Sequence, residues 1–225
     1  MAEVAQSTDP IDHTQLGDKW DPIASKLYGP EVRDAVVAAA GLDDLPSGSL
    51  VVEIGAGTGF LTDALVKHRK NFQVTAVEPN AGARASLQEK LGHWPNLTIL
   101  PGTFEDNSVA SGSAACVLGT MTLHHAVDLD LAMEETARML SPGGRAAFAD
   151  IKDHEYGNFV TGHYDPRPGT NMDDLKRSLE AAGLLLVDGP RLIGVDCTEK
   201  AKVETDTDIS VPVFLVVGKK ALQAA

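Results

Sequence analysis

The spacing of hydrophobic positions changes several times along the chain, and each change predicts a new element. Residues 30–40 carry apolar side chains every three or four positions, which predicts a helix that Gly41 can end. Residues 50–54 form a short apolar run and predict a buried strand. Helical spacing returns at residues 60–65, directly after a glycine-rich turn. The first quarter of the chain therefore predicts a helix, a strand and a second helix.

The same alternation continues toward the carboxyl terminus. Further strands are predicted at 72–77, 97–100, 114–118, 146–149, 184–187 and 211–217. Helices are predicted at 83–91, at 129–140 with Asp128 as a cap, and at 172–182. Strands that alternate with helices indicate parallel βαβ units, and hence an α/β fold.

A single domain accounts for most of the 225 residues. Residues 1–17 are polar and lack periodicity, so we expect a disordered tail there. Residues 18–225 then form one domain with a loop-rich insertion around 151–170.

Composition excludes several classes of partner. The chain has 19 basic and 32 acidic residues, a net charge of −13, which argues against nucleic acid and anionic membrane surfaces. Its sequence contains neither an apolar run long enough to span a bilayer nor a signal-peptide pattern, so a cytoplasmic location is expected. Two scattered cysteines predict neither a disulfide framework nor a zinc site.

The glycine-rich turn Gly55-Ala56-Gly57-Thr58-Gly59 lies between a predicted strand and a predicted helix. Glycines there allow a sharp turn and let a ligand approach the backbone. The dinucleotide pattern G-x-G-x-x-G requires its last glycine where Phe60 stands, which disfavours a nicotinamide-dependent oxidoreductase. Glu53 would repel a pyrophosphate but could help to seat an ammonium or sulfonium group. The turn therefore favours a nucleoside with a cationic tail.

A second acid, Glu78, ends the next predicted strand. A carboxylate at this place can accept hydrogen bonds from both hydroxyls of a ribose. Taken alone, Glu78 would be interpreted as a solvated acid at a strand end. Its position after the glycine turn favours the ribose role.

Residues 51–150 resemble the class I S-adenosylmethionine-dependent methyltransferases, within them the small-molecule branch. Besides the glycine turn and Glu78, the likeness is carried by Leu123-His124-His125-Ala126-Val127-Asp128 and by residues 137–145, Ala-Arg-Met-Leu-Ser-Pro-Gly-Gly-Arg. The resemblance implies a Rossmann-like, doubly wound sheet of seven strands, mostly parallel with an antiparallel last strand. It also implies S-adenosylmethionine as cofactor, bound across the carboxyl ends of the first four strands.

The resemblance also assigns roles to single residues. Glycine-turn residues would wrap the methionine and ribose, Pro79 would lie against the adenine, and Thr103 stands where the family usually has an adenine-binding Asp. Phe104 could stack on the adenine instead, and Gly119 and Thr120 would face the sulfonium and the nucleophile. The expected cofactor residues are Glu53, Gly55, Ala56, Gly57, Gly59, Glu78, Pro79, Thr103, Phe104, Gly119 and Thr120.

The candidate catalytic residues are His124 and His125, which follow the fourth strand where substrate would lie. Either could act as a base or as a substrate contact, or could simply pack locally. Loops after the fifth strand cover the substrate in this family, and aromatic side chains near the N-terminus could close over the cofactor. The expected substrate contacts are Trp20, Tyr28, His154, Tyr156, His163 and Tyr164.

The expected function is in-line methyl transfer to a small-molecule acceptor by a monomer or homodimer, without a metal ion. Two alternatives stay open beside the oxidoreductase. One is an enzyme of the same fold that keeps the cofactor but catalyses a cyclisation or rearrangement. The other is a non-catalytic binding module, which predicts a poorly formed sulfonium site.

Overall fold

The computed structural model describes residues 29–154, 169–200 and 208–222. The predicted tail 1–17 and most of the insertion predicted around 151–170 lie outside the described residues.

Seven strands form one sheet in the order β3-β2-β1-β4-β5-β7-β6. All neighbouring pairs among β1–β5 are parallel, whereas β7 runs antiparallel to both β5 and β6. The predicted seven-stranded, mostly parallel sheet with a reversed last strand is therefore confirmed. The strands are β1 Leu50–Ile54, β2 Gln73–Val77, β3 Leu97–Leu100, β4 Ala114–Thr120, β5 Leu140–Ile151, β6 Leu184–Lys200 and β7 Asp208–Lys220.

Five α-helices of the described residues pack on the sheet: α1 Gly29–Ala39, α2 Phe60–Val66, α3 Ala81–Leu91, α4 Leu129–Met139 and α5 Met172–Ala181. Short 3₁₀ helices stand at Leu42–Asp44 and Leu123–His125. Side chains at three N-termini accept backbone N–H groups, which satisfies donors that a helix leaves unpaired. Asn80 caps α3, Asp128 caps α4 as the sequence predicts, and Asn171 caps α5.

The sheet is buried on both faces, as a doubly wound fold requires. Successive residues of β1 show this, because Val51 belongs to the apolar cluster beneath α1 and α2 while Val52 belongs to the cluster beneath α4 and α5. Cys116 on β4 is fully buried, and burial raises the pKa of its thiol to about 12. Cys116 thus packs in the sheet as a small apolar residue.

Two strand boundaries differ from the sequence-based expectation. The sequence predicts a strand at 146–149 only, but β5 begins at Leu140 and contains residues 141–144 as an irregularity, with Ala114 opposite Leu140 and Cys116 opposite Arg145. The β6–β7 hairpin is longer than expected. It stays paired from Asp196–Pro212 to Lys200–Asp208, beyond the last pair of β5 and β7 at Ile151 and Val213. Residues 196–200, on the β6 side of this stretch, are mostly polar and lack the apolar alternation by which a strand is recognised in sequence.

Candidate functional site

The glycine turn after β1 has three glycines in left-handed backbone, Gly55 at φ 72°, Gly57 at φ 54° and Gly59 at φ 101°. A Cβ at Gly55 would collide with the side chain of Thr122, and a Cβ at Gly59 would stand 2.6 Å from Leu87. At Gly57, by contrast, no atom of the described residues lies within 4 Å of the Cβ position. Two glycines are therefore required by packing, and Gly57 opens onto space that a ligand can use.

The Glu78 carboxylate lies directly beside that open position. Its Oε2 accepts the N–H of Gly57 at 2.8 Å, and its Oε1 accepts the N–H of Asn80 at 2.8 Å. Arg84 Nη1 donates to the carbonyl oxygens of Glu78 and Pro79 at 2.7 and 2.6 Å, which fixes the end of β2. Burial raises the pKa of Glu78, and the two N–H donors and Arg84 oppose that rise.

A second acid, Glu53, lies just before the turn and is more buried than Glu78. Its side chain is 2% exposed on β1, and its Oε2 accepts the hydroxyl of Thr62 on α2 at 2.5 Å. Burial raises the pKa of Glu53 to about 8, against the lowering effect of the Thr62 bond and with a further rise from the Glu78 charge. Near neutral pH this carboxyl is therefore largely protonated until a cation reaches it.

The two residues expected at the adenine have local roles. Thr103 Oγ1 accepts the N–H of Asp106 at 3.1 Å, so its hydroxyl closes a tight turn. The Phe104 ring is 3% exposed and packs edge-to-face on Phe148 with 5.7 Å between ring centroids. Phe104 is thus a core side chain, and its placement does not support stacking on an adenine. The sequence does not reveal this packing role, because an aromatic residue after a strand is compatible both with core packing and with stacking on a ligand.

The end of β4 packs against the glycine turn. A Cβ at Gly119 would stand 2.7 Å from Thr122 Cγ2 and 3.1 Å from the carbonyl oxygen of Ile54. Thr122, which is 6% exposed, therefore fills the space between Gly55 and Gly119. The residue before it, Met121, has φ 53°, a left-handed conformation that is uncommon for a residue with a side chain. Backbone of this kind occurs preferentially at functional sites.

A histidine–aspartate pair lies just beyond Thr122. His124 Nδ1 is 2.6 Å from Asp150 Oδ1, and the backbone N–H of His124 donates to Asp150 Oδ2 at 3.0 Å. Asp150, near the end of β5, is fully buried and also accepts the N–H of Ile151 at 2.7 Å. The His125 ring lies 4.0 Å from that of His124, centroid to centroid. The structure thus brings both predicted histidines to the carboxyl edge of the sheet.

Sequence reasoning missed Asp150. The available signal was an acid at the end of an otherwise apolar strand, on the edge where His124 also stands, because the carboxyl ends of parallel strands meet there.

His154 is the remaining described residue among the expected substrate contacts. It is half-buried, burial lowers its pKa, and the nearby His124 lowers it further while Asp153 opposes the change. Trp20, Tyr28, Tyr156, His163 and Tyr164 lie outside the described residues. Within the described ranges, no three or more His, Cys, Asp or Glu side chains are grouped to hold a metal ion. In the same part of the chain, no helix has the length and apolar character to cross a bilayer.

Residues 52–148 match the family model of a methyltransferase domain. Over 106 residues the chain is 35% identical to an uncharacterized methyltransferase of Anoxybacillus flavithermus, a match that covers 46% of this chain and 48% of that protein. Residues 52–148 of this chain are therefore similar to methyltransferase domains. The chain spans about half the length of the curated relatives that it matches.

Solved structures share the fold of this chain. An S-adenosylmethionine-dependent methyltransferase of Aquifex aeolicus aligns with a TM-score of 0.67 at 20% identity, over 93% of this chain and 99% of that one. A chain from the Haloferax volcanii complex of a methyltransferase with its Trm112 activator aligns with a TM-score of 0.73 at 19% identity. That match covers 96% of this chain and 100% of the other.

The site residues fit S-adenosylmethionine, the cofactor of similar methyltransferases. The open face of Gly57 leaves room for a ligand where a Cβ would otherwise stand. The Glu78 carboxylate lies beside that space and suits a ribose diol, whereas Glu53 is buried on β1, and its carboxyl suits a cationic group of the same ligand. Among the expected cofactor residues, the described structure brings the glycine turn, Glu53, Glu78, Pro79, Gly119 and Thr120 to the carboxyl edge of β1, β2 and β4.

Proposed function

We propose that this protein transfers the methyl group of S-adenosylmethionine to a small-molecule acceptor. The observation that carries the proposal is the open space at Gly57, bordered by the buried carboxylate of Glu78. A nucleoside ligand needs both features, because its ribose must approach the backbone and find acceptors for two hydroxyl groups. The match of residues 52–148 to the methyltransferase domain model supports the methyl-transfer reaction.

In this proposal the chain's own groups bind and orient the two reactants. Glu78 accepts hydrogen bonds from the ribose hydroxyls, and Glu53 is the counter-charge for the cationic methionine end. S-adenosylmethionine, when bound, supplies the methyl group and leaves as S-adenosylhomocysteine. Because the reactive group belongs to the cofactor, the protein mainly holds the acceptor in line and excludes water.

The acceptor site in this proposal lies beyond β4, where Gly119 and Thr120 end the strand beside His124. The net charge of −13 argues against a nucleic acid as acceptor and favours a free metabolite. Action as a monomer or homodimer in the cytoplasm belongs to the proposal as an expectation from the sequence.

The binding half of the proposal is tested by isothermal calorimetry with S-adenosylmethionine and with NAD. We expect saturable binding of the first only, and loss of that binding in Gly57→Ala because the new methyl group occupies ligand space. Gly112→Ala is the matched control, since Gly112 also has a left-handed φ, 67°, and an open Cβ position among the described residues. Binding of NAD in place of S-adenosylmethionine would refute the proposal.

The reaction is tested by incubation with methyl-labelled S-adenosylmethionine and a panel of small acceptors. Release of labelled product together with S-adenosylhomocysteine is the expected result. Tight cofactor binding with conversion of an acceptor but no S-adenosylhomocysteine would instead indicate a cyclisation or rearrangement. Binding with no reaction of any kind would favour a non-catalytic module.

A further inference from the structure

We infer that the methyl acceptor presents a neutral hydroxyl group, of an alcohol or a phenol, and that His124 takes its proton while Asp150 fixes the imidazole. This inference rests on the proposed function and adds the substrate class and the base. It is carried by the buried contact between the two side chains and by their place next to the cofactor turn.

The hydrogen bonds around Asp150 determine which nitrogen of His124 carries a proton. Both carboxylate oxygens already accept backbone N–H groups, Oδ2 from His124 and Oδ1 from Ile151. A carboxylate that acts as an acceptor toward these donors also accepts from the ring, so Nδ1 of His124 is the protonated nitrogen. The basic lone pair is then on Nε2, the arrangement in which a histidine serves as a general base.

A purely structural role does not require this second bond. The bond from the His124 backbone to Asp150 Oδ2 already joins the 3₁₀ turn to β5. The additional 2.6 Å contact to Nδ1 orients the ring and selects its tautomer. Asp150 is fully buried and the His124 side chain is 11% exposed, so the pair is held in a fixed geometry.

The pair stands beside the space that the cofactor would occupy. Thr122 contacts Gly55 of the glycine turn, and it precedes His124 by two residues in the same short segment. Asp150 follows directly on the part of β5 that pairs with Gly119 and Thr120. The proposed base and the glycine turn therefore lie at the same carboxyl edge of the sheet.

The need for a base distinguishes acceptor classes. An aromatic amine is uncharged near neutral pH and has a lone pair available, and a thiol with a pKa of about 8.5 ionises readily, but an alcohol or phenol stays protonated. In the proposed step the hydroxyl oxygen forms the new C–O bond as the S–CH₃ bond breaks, and its proton passes to Nε2 of His124. The positive charge leaves the sulfonium and appears on the imidazolium, where Asp150 stabilises it. The imidazolium then returns its proton to solvent.

The charged neighbours of His124 are compatible with this step. His125 lies on the same 3₁₀ turn, and His154 follows β5. Burial and the nearby His124 both lower the pKa of His154, which disfavours a second positive charge beside His124.

The first test needs no acceptor. Long-range ¹H–¹⁵N correlation spectra of the full ¹⁵N-labelled chain at pH 8, with and without S-adenosylmethionine, report the tautomer of each histidine. His124→Gln identifies the His124 signals by their loss. We expect an Nδ1–H tautomer at His124, and a shift toward Nε2–H in Asp150→Asn. An Nε2–H tautomer in the wild-type protein would overturn the inference.

The second test compares acceptors that differ only in a hydroxyl or an amino group on the same ring or chain. We expect methylation of the hydroxyl compounds, with kcat lower by roughly 10²–10⁴-fold in His124→Gln and Asp150→Asn. The calorimetric affinity for S-adenosylmethionine should stay within about 2-fold in both variants, since neither side chain is assigned a cofactor contact. His68→Gln is the matched control, because His68 lies 3.5 Å from Asp43 in a second histidine–aspartate pair outside the site.

The outcomes separate this inference from the proposed function. Methylation of amines alone, at rates that His124→Gln leaves unchanged, would overturn the hydroxyl class and leave the methyltransferase intact. Failure of the wild-type protein to bind S-adenosylmethionine would instead refute the proposed function itself.

Discussion

Replacing Glu53 by Gln should make the protein more stable near neutral pH and should remove a pH dependence. Glu53 is 2% exposed and hydrogen-bonded to Thr62, and burial raises its pKa from the ordinary 4.5 to about 8. A carboxyl whose pKa is raised by folding stabilises the protein fully below about pH 4.5. That contribution is lost as the pH rises toward 8, because the unfolded chain ionises more easily.

The size of the effect follows from the pKa difference. Each pH unit between 4.5 and 8 costs about 1.4 kcal/mol of unfolding free energy, so the whole range amounts to about 5 kcal/mol. At pH 7 the cost is about 3 kcal/mol, a large share of the stability of a small domain. Glutamine keeps the shape and can accept the Thr62 hydroxyl through its amide oxygen, but it does not ionise.

Urea unfolding of both proteins at pH 5, 6, 7 and 8, without cofactor, measures this difference. We expect the unfolding free energy of Glu53→Gln, relative to that of the wild-type protein, to increase by about 1.4 kcal/mol per pH unit. Glu89→Gln, at an exposed position of α3, controls for the loss of one negative charge. A difference between Glu53→Gln and wild type that stays constant from pH 5 to 8 would show that Glu53 titrates normally in the folded protein.

Three further predictions concern the cofactor site and its surroundings. Glu78→Ala should weaken S-adenosylmethionine binding roughly 10- to 100-fold, through the loss of charge-assisted ribose bonds, and unchanged calorimetric affinity would remove the ribose role. In the wild-type protein the affinity for S-adenosylmethionine should rise with pH up to about 8, because a cationic ligand favours the ionised form of Glu53. An affinity that does not change with pH in calorimetry would show that Glu53 does not interact with the ligand. Phe104→Ala should lower the unfolding free energy by about 3–5 kcal/mol in urea, as expected for a core ring packed on Phe148. If Phe104→Ala instead loses little stability but much affinity for the cofactor, Phe104 contacts the adenine.

The fold could be predicted from the sequence because its signals are local. Apolar runs of four to seven residues that alternate with helical spacing predict the parallel sheet, and the glycine turn marks its first crossover. Only the family resemblance predicted the antiparallel direction of β7, because the apolar pattern of a strand does not indicate its direction. The extended part of the β6–β7 hairpin could not be predicted, because it is held by backbone pairing rather than by an apolar pattern.

The candidate site was predictable only in part, for a related reason. The glycine turn, Glu78 and His124 stand at turns or strand ends where polar or small residues interrupt an apolar pattern. Asp150 is found only when its distance to a side chain 26 positions away is known. Phe104 shows the opposite case, since its aromatic ring suggests a ligand in sequence and its burial shows a packing role.

The position of Thr122 limits how this sequence can diverge. Its side chain lies between Gly55 of the glycine turn and Gly119 at the end of β4, so neither glycine can gain a side chain unless Thr122 shrinks or moves. A shift of Thr122 would carry His124 with it, because only one residue separates them. Under the proposed function, donor binding and proton abstraction are therefore expected to be mutationally linked, and changes in substrate preference should accumulate at other positions.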